Sequence, residues 1–231
     1  MSFYLCREGL WGDGWSKVWK KRKSSWTDRK LEGGDKTLGK RNTKEILLHT
    51  SINLFYQKGY LDTSIREIGD KAGISTSIIY HYFKNKEELL FEIVYNSAEE
   101  LLQALCEMQK KISDPLECLR EMVTEHAVLF CLKRKKETKI VDSDRYFLHG
   151  KRHQMIVNQQ REIYNLYKKK LEELTDKGLL RDIDPGVATF SILGIINSSF
   201  RWYREGGRLT REEVAQNILK FAFHGIINLP K

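Results

Sequence analysis

A short segment of the chain, residues 75–81, concentrates side chains that can hydrogen-bond to a polar partner. Its hydroxyl and imidazole groups belong to Ser75, Thr76, Ser77, Tyr80 and His81. Such groups can read the donor and acceptor edges of bases in the major groove of DNA. A helix of this length with a purely structural role more usually carries Lys and Glu on its outer face. The segment is therefore a candidate for base recognition.

Neighbouring side chains suit other parts of a DNA duplex. The apolar Ile78 can contact a thymine methyl group. Side chains that can reach phosphate oxygens are Tyr80, Lys84 and Lys86. Thr63 and Ser64 stand at an earlier helix start, where hydroxyl and backbone N–H groups also favour a phosphate.

Two short helices joined by a glycine-containing turn are predicted to position these groups. The first is predicted to be capped by Thr63 or Ser64, and Ser64-Ile65-Arg66-Glu67 matches a capping box. Gly73 ends it, and Ser75 caps the second helix, whose inward residues are Ile79, Tyr82 and Phe83. With the longer helix that precedes them, these helices form a helix-turn-helix whose second helix can enter the major groove.

The rest of the chain keeps the 3.6-residue periodicity of helices, so we predict an all-α protein. The whole chain has three prolines, and residues after 40 have few Gly-rich stretches, which argues against a fold built from many strands and turns. Asp114-Pro115, Asp184-Pro185 and a second capping box at Thr210 mark helix starts. The predicted helices cover 85–110, 115–132, 145–178, 187–203 and 211–226, and residues 133–144 are predicted to be a polar break.

Residues 41–90 contain a series of positions in a recognisable order and spacing, which include Gly59-Tyr60, Thr63-Ser64, Ala72-Gly73-Ile74-Ser75, Tyr82-Phe83 and Lys86. In these positions the segment resembles the DNA-binding domain of the tetracycline-repressor (TetR) family. The resemblance implies an N-terminal three-helix DNA-binding domain followed by a helical ligand-binding and dimerisation domain. It also implies DNA contacts by Thr63, Thr76, Ser77, Ile78, Tyr80, His81 and Lys86. The chain departs from the family pattern at Tyr82, where many members have His.

The resemblance also implies an organisation and a mode of action. Residues 41–86 would be the DNA-binding domain and 87–231 the regulatory domain, while the composition of residues 1–40 sets them apart as a basic, Trp-rich arm. Family members are homodimers, so two copies of the 75–83 helix would bind successive major grooves of a palindromic double-stranded operator. A small effector in the regulatory domain would release the DNA, and repression is the commoner mode of regulation.

The regulatory half carries a second set of matching positions, Asp184-Pro185, Gly194, Arg201-Trp202-Tyr203, Gly206-Gly207-Arg208-Leu209 and Glu212-Glu213. In these it is similar to a subgroup that controls fatty-acid and sterol-type catabolism and responds to acyl-coenzyme A thioesters. Arg201 and Arg204 could bind phosphates while Trp202 stacks on a flat group, and Tyr146 could line a pocket. Alternatively, Arg201 pairs with a carboxylate across the dimer, Trp202 belongs to the core or interface, and Tyr146 is ordinary core.

The net charge of +9 favours an anionic partner, but most of it lies outside the helix-turn-helix. Residues 1–40 carry Lys20-Lys21-Arg22-Lys23 and four of the five tryptophans, Trp11, Trp15, Trp19 and Trp26. We expect an unstructured extension here, and the alternative is a helix that lies on DNA or on a membrane surface. The four cysteines have no close pairing, and the sequence shows no export signal or membrane span, so we expect reduced thiols in the cytoplasm and no membrane partner.

No set of titratable residues in the sequence predicts an enzyme or a cofactor site. His149 and His153 are spaced to share a helix face, yet no third metal ligand accompanies them. The prediction is therefore a ligand-responsive DNA-binding regulator. The alternative is a helical metabolite- or lipid-binding module without DNA binding, which would show no sequence-dependent retention of DNA.

Overall fold

The structure, a computed structural model, describes residues 40–227 and the side chains of residues 43–227. This part of the chain is helical, with an isolated antiparallel bridge between Leu180 and Ile227 and no strand. Its nine α-helices are α1 Lys40–Lys58, α2 Ile65–Ala72, α3 Thr76–Tyr82, α4 Lys86–Lys111, α5 Pro115–Glu125, α6 Lys135–Ser143, α7 Gly150–Asp176, α8 Pro185–Trp202 and α9 Arg211–Ile226. The all-α prediction is confirmed. The Trp-rich arm predicted for residues 1–40 lies almost wholly outside the described residues.

No helix in the described part of the chain is both long and apolar enough to cross a bilayer. The most apolar one, α8, is 18 residues long and begins at Pro185.

Several helix starts follow the predicted capping signals. The Asp114 and Asp184 side chains accept hydrogen bonds from the backbone N–H groups of Glu117 and Val187, and proline occupies the first turn in both helices. At Thr210 both halves of the predicted capping box are formed, and hydrogen bonds from Thr210 lower the pKa of Glu213.

The capping box predicted at Ser64 is only half formed. The Ser64 hydroxyl accepts a hydrogen bond from the Glu67 N–H at 3.1 Å. The Glu67 carboxylate, however, pairs with the Lys58 ammonium instead of returning to the Ser64 N–H. An ion pair at the end of α1 therefore replaces the second bond of the box.

The polar break predicted for residues 133–144 is wrong, because most of this segment is the helix α6. Only Arg134 leaves helical geometry, with φ −101° and ψ 43°. The helix is stabilised by tertiary contacts: Ile140 is fully buried, and the Lys135 ammonium donates to the Tyr203 carbonyl oxygen at 2.8 Å. A polar sequence was thus folded into a helix by partners distant in the chain.

Two further helix boundaries differ from prediction. The helix expected to reach residue 132 is α-helical only to Glu125 and continues as a π-helix over His126–Lys133. The helix expected from residue 145 begins at Gly150, because Arg145–Phe147 forms a short 3₁₀ turn.

The apolar core has two parts. The first unites α1, α2 and α3 with the start of α4, and it also includes Ile140, Leu148 and Ile156 from later in the chain. The second unites the end of α4 with α5, the π-helix, α7, α8 and α9. The first core therefore crosses the predicted boundary between residues 86 and 87, and side chains of α6 and α7 belong to the same core as those of the helix-turn-helix. The position of that boundary stays a prediction.

Candidate DNA interface and regulatory core

Two glycines allow the close packing of the helix-turn-helix. A Cβ atom at Gly69 would lie 2.7 Å from the Ile74 carbonyl oxygen, so only glycine allows the turn to approach α2 this closely. Gly73 has φ 67° and donates its N–H to the Gly69 carbonyl oxygen, which ends α2 in the left-handed conformation. These contacts set the position of α3.

Helix α3 has a buried side and an exposed polar side. Ile79 is fully buried, and Phe83 follows it into the first core. On the outer side, Tyr80 is 56% exposed and Ile78 is 45% exposed. The other exposed side chains of this surface are Ser75, Thr76, Ser77 and His81. The structure therefore brings the predicted base-contacting residues together on one surface, which we call the α3 face.

The hydroxyl groups at the start of α3 remain outside the helix hydrogen bonds. Ser75 occupies the N-cap position, but its side chain does not cap the helix. Instead, its Oγ lies 3.0 Å from the Oγ of Ser77, and both residues are exposed. These two hydroxyls can therefore turn towards a partner without breaking the helix.

Thr63 is not placed as the sequence suggested. Its side chain is 2% exposed, and the hydroxyl donates to the Gly59 carbonyl oxygen at 2.8 Å. Its N–H donates to the Tyr60 carbonyl oxygen at 3.3 Å. Since both donors are used within the chain, Thr63 has a structural role, and the phosphate contact predicted for it stays a prediction. Ser64 stays exposed as the cap of α2.

Lys86 also has a structural role. Its Nζ donates to the carbonyl oxygens of Tyr60 and Thr63 at 2.7 Å each and to that of Leu61 at 3.2 Å. The same atom lies 4.3 Å from the centre of the Tyr60 ring, and burial lowers the pKa of Lys86. Lys86 therefore holds the 60–63 loop, and the phosphate contact predicted for it stays a prediction. Lys84 is exposed, and its backbone N–H donates to the Glu88 carboxylate.

The residues predicted to bind an effector lie on the surface. Arg201 pairs with Asp142 at 2.6 Å, which raises the pKa of Arg201, so its carboxylate partner is in the same chain. Trp202 and Arg204 are exposed beside it at the end of α8. Tyr146 is exposed as well, under the guanidinium of Arg145. None of the four lies in the apolar core.

A buried polar cluster in the second core was not predicted. His126 Nδ1 lies 3.1 Å from the Tyr167 hydroxyl, which donates to the Met122 carbonyl oxygen at 3.0 Å. Asn197 of α8 is a second hydrogen-bonding neighbour of the His126 ring, and its Oδ1 lies 3.8 Å from Cys131 Sγ. We call these residues the His126 cluster. Burial lowers the pKa of His126 to about 4 and raises the pKa of Cys131 to about 12, so both side chains are uncharged at neutral pH.

Helix α6 connects the second core with α1. The Lys136 ammonium donates to Asn53 Oδ1 at 2.6 Å, and the Lys139 ammonium donates to the Tyr56 carbonyl oxygen at 2.8 Å. Just beyond α6, the Phe147 ring stacks on Tyr60 with centroids 5.4 Å apart. These contacts join the regulatory helices to the end of α1.

Helices α8 and α9 both carry exposed apolar side chains. Phe221 of α9 is 73% exposed, and Phe190 of α8 is 69% exposed, with its ring centroid 4.7 Å from that of Tyr164 on α7. Between α8 and α9 runs a groove of about 640 Å³, lined partly by Ile192, Ile195 and Phe221. Exposed apolar patches mark interaction sites, so the exposed surface of these two helices, which we call the α8–α9 face, is a candidate interface.

Two family models match the chain. The model described as bacterial regulatory proteins, tetR family, matches residues 47–93, which include α2 and α3. The model described as the tetracyclin repressor-like C-terminal domain matches residues 113–226. The two matches coincide with the helix-turn-helix and with the helices that follow α4.

Relatives of known type match over most of their length. The transcriptional repressor KstR2 of Rhodococcus jostii is 27% identical over 193 residues, which cover 83% of this chain and 95% of the repressor. The structure of AibR in complex with isovaleryl coenzyme A and operator DNA superposes with a TM-score of 0.72 at 26% identity, covering 78% of this chain and 97% of AibR. A TetR/AcrR family regulator from Thermobifida fusca has a TM-score of 0.64 at 30% identity, covering 79% of this chain and 97% of that regulator.

Proposed function

The chain belongs to the TetR family of bacterial transcriptional regulators, and on that premise we propose that it represses transcription as a ligand-responsive homodimer. It binds a palindromic operator and leaves the DNA when a small effector binds. The observation that carries the proposal is the α3 face, whose polar side chains are exposed while Ile79 and Phe83 anchor the helix from behind. Such a regulator acts on the chromosome, in the cytoplasm.

Recognition of the operator is assigned to α3. Its N-terminal turns present hydroxyl groups to base edges, and Ile78 offers an apolar contact to a thymine methyl group. The contacting residues of the α3 face are Ser75, Thr76, Ser77, Ile78, Tyr80 and His81. Lys84 and the exposed cap Ser64 contact phosphate oxygens and fix the register without reading sequence.

The dimer forms through the α8–α9 face. Two copies related by a twofold axis would pair this face with itself and bury Phe190 and Phe221, which are otherwise the most exposed large apolar side chains of the described residues. Two α3 helices would then enter successive major grooves about 34 Å apart.

The effector is an acyl-coenzyme A thioester. AibR, a structural neighbour at 26% identity, was crystallised with isovaleryl coenzyme A and DNA, and KstR2 is a repressor. In this chain, Arg204 and Trp202 are exposed together at the end of α8, where a phosphate and a flat base can bind. Arg201 and Tyr146 complete the proposed headgroup site, with Arg201 held in place by Asp142.

Release of the DNA follows from the contacts of α6. An effector in the second core acts on the π-helix that leads into α6, and α6 is bonded to α1 through Lys136 and Lys139. Because effector and DNA favour different arrangements of these helices, binding of one lowers the affinity for the other.

A gel-shift assay with the DNA upstream of the chain's own coding region tests the proposal at a fixed salt concentration. The intact chain should retain this DNA more strongly than a scrambled sequence. The double variant Thr76→Ala/Tyr80→Ala should lose this preference while keeping its melting temperature. The control Tyr146→Ala removes an equally exposed tyrosine outside α3 and should keep it. Equal retention of both DNAs by the intact chain would show that it is not an operator-binding protein at this site.

A further inference from the structure

The α3 face presents one aliphatic side chain beside its polar ones. Successive residues of an α-helix differ in direction by about 100°, so Ser77 and His81 point most directly away from the buried Ile79. Ile78 and Tyr80 lie on opposite flanks of these two residues and are 45% and 56% exposed. Ile78 therefore borders the polar surface and does not belong to the core.

The hydrogen-bonding groups of the α3 face distinguish bases poorly. A hydroxyl group can donate or accept, so Ser75, Thr76 and Ser77 can each bond to more than one base edge. The neutral His81 ring has the same freedom, because either ring nitrogen can carry the hydrogen. The side chains that form paired hydrogen bonds to purines, those of Arg, Lys, Asn and Gln, are absent from residues 75–83. Discrimination between bases by α3 therefore depends on another kind of contact.

The exposed cations of the helix-turn-helix are placed for the DNA backbone. Arg66 and Lys71 are exposed on α2, and the first helix of a helix-turn-helix crosses the backbone. Lys84, just after α3, is exposed as well. Contacts to phosphate oxygens fix the orientation of a protein on DNA and carry no information about sequence. The choice of base is thus left to α3.

An exposed aliphatic side chain can distinguish bases where hydroxyl groups do not. The 5-methyl group of thymine is the apolar group that base pairs present in the major groove, and contact with it removes apolar surface of both partners from water. Contact with the amino group of cytosine or adenine, or with the acceptor atoms of guanine, would remove water without replacing its hydrogen bond. Ile78 therefore favours thymine at the position that it contacts.

We propose that each half-site of the operator has a thymine at a fixed position and that Ile78 determines this specificity by contacting the thymine 5-methyl group. This inference rests on the proposed function, in which α3 binds the operator, and adds the base that α3 recognises. Since two copies of α3 bind a palindromic operator, these thymines form a symmetric pair.

The test uses the full chain and two forms of the DNA upstream of its own coding region, amplified with either thymidine or deoxyuridine triphosphate. Uracil pairs with adenine as thymine does and lacks only the 5-methyl group. In a gel shift at fixed salt concentration, the intact chain should bind the uracil form about 15-fold more weakly, which is about 4-fold for each half-site. Synthetic duplexes in which single thymines are replaced should locate this loss at one symmetric pair of positions.

The variant Ile78→Ser removes the aliphatic contact and introduces a residue of similar helix propensity. It should bind the thymine form more weakly than the intact chain does, and the difference between the two forms should shrink to about 2-fold or less. The control Met155→Ser replaces an apolar side chain that is 38% exposed on α7, and it should keep the full difference. Circular dichroism melting shows that each variant is folded.

Equal binding of both forms by the intact chain would overturn the inference, and so would a folded Ile78→Ser chain that keeps the full difference. If Ile78→Ser binds neither form measurably, the single replacements decide with the intact chain. A loss at one symmetric pair supports the contact, and a loss spread evenly over the thymines contradicts it. An intact chain that does not prefer the thymine form to a scrambled sequence contradicts the proposed function itself, whereas equal binding of the uracil form contradicts only the recognition of the methyl group.

Discussion

The Lys139 ammonium on α6 donates a 2.8 Å hydrogen bond to the main-chain carbonyl oxygen of Tyr56 on α1. The same ammonium lies 4.8 Å from the centre of the Tyr56 ring. Tyr56 belongs to the last turn of α1, where carbonyl groups have no partner within the helix. A side chain of the regulatory helices thus caps the first helix of the DNA-binding unit, and any movement of α6 must either carry α1 with it or break this bond.

Replacing Lys139 by Met keeps most of the side-chain volume but removes the donor. We expect Lys139→Met to bind operator DNA as the intact chain does in the absence of effector. The factor by which the effector lowers the affinity for DNA should be about 10-fold smaller in this variant than in the intact chain. Fluorescence anisotropy of labelled operator, titrated with an acyl-coenzyme A thioester that stabilises the intact chain, measures both quantities. The control Lys168→Met removes a lysine whose ion pair, with Glu172, lies within α7. Full release of DNA from Lys139→Met would show that coupling runs elsewhere.

Lys84 and Lys86 are close in sequence but should give opposite results when replaced by Met. Loss of Lys86 removes one hydrogen-bond donor from each of the carbonyl groups of Tyr60, Leu61 and Thr63, so the free energy of unfolding should fall by about 1–3 kcal/mol. Lys84→Met should leave stability unchanged and reduce the salt dependence of DNA binding by about one phosphate contact. Urea unfolding and binding titrations at several salt concentrations separate the two effects. If Lys84→Met lost much stability and Lys86→Met did not, the structural role would belong to Lys84 and not to Lys86.

Local signals explain why much of the fold could be predicted. The caps at Asp114, Asp184 and Thr210 depend on residues three positions away, and the αL turn at Gly73 depends on one residue. The contact of Thr63 is also local. A threonine four residues after Gly59 can donate its hydroxyl hydrogen to the Gly59 carbonyl oxygen, so the sequence contains the pattern behind this contact, although it also predicts a DNA contact for Thr63.

Other features depend on partners that are distant in the chain. Lys86 bonds to carbonyl groups 23 to 26 residues earlier, so its spacing in the helix carried no sign of that role. The polar sequence of α6 becomes helical because Lys135, Lys136 and Lys139 reach Tyr203, Asn53 and Tyr56. The His126 cluster likewise joins the π-helix with α7 and α8, and no spacing within one helix predicts that meeting.

The α8–α9 face should control the oligomeric state. The double variant Phe190→Glu/Phe221→Glu places two charges on the surface that we propose to be buried in the dimer. We expect light scattering to show a monomer of unchanged helical content and the gel shift to show weak, nonspecific binding. The control Tyr146→Glu charges an equally exposed aromatic position outside this face and should stay dimeric. A dimer in the Phe190→Glu/Phe221→Glu variant would place the interface on another surface.

The buried His126 should make stability depend on pH within a defined window. Burial lowers the pKa of His126 from 6.5 to about 4, with a hydrogen bond to Asn197 acting in the opposite direction. Between these values the unfolded chain binds a proton that the folded chain does not. The contribution is therefore complete above pH 6.5 and is lost as the pH falls towards 4, by about 3 kcal/mol in total.

Urea unfolding between about pH 7 and pH 4 measures this loss as a slope. In His126→Phe the titrating group is absent, so the free energy of unfolding should fall less steeply with decreasing pH than in the intact chain. Its value at pH 7 can also be lower, because Tyr167 loses a hydrogen-bond partner, and the slope rather than the absolute value is the test. His153→Phe removes an exposed histidine and should keep the slope of the intact chain. Identical slopes for His126→Phe and the intact chain would mean that the pKa of His126 is the same in the folded and unfolded states.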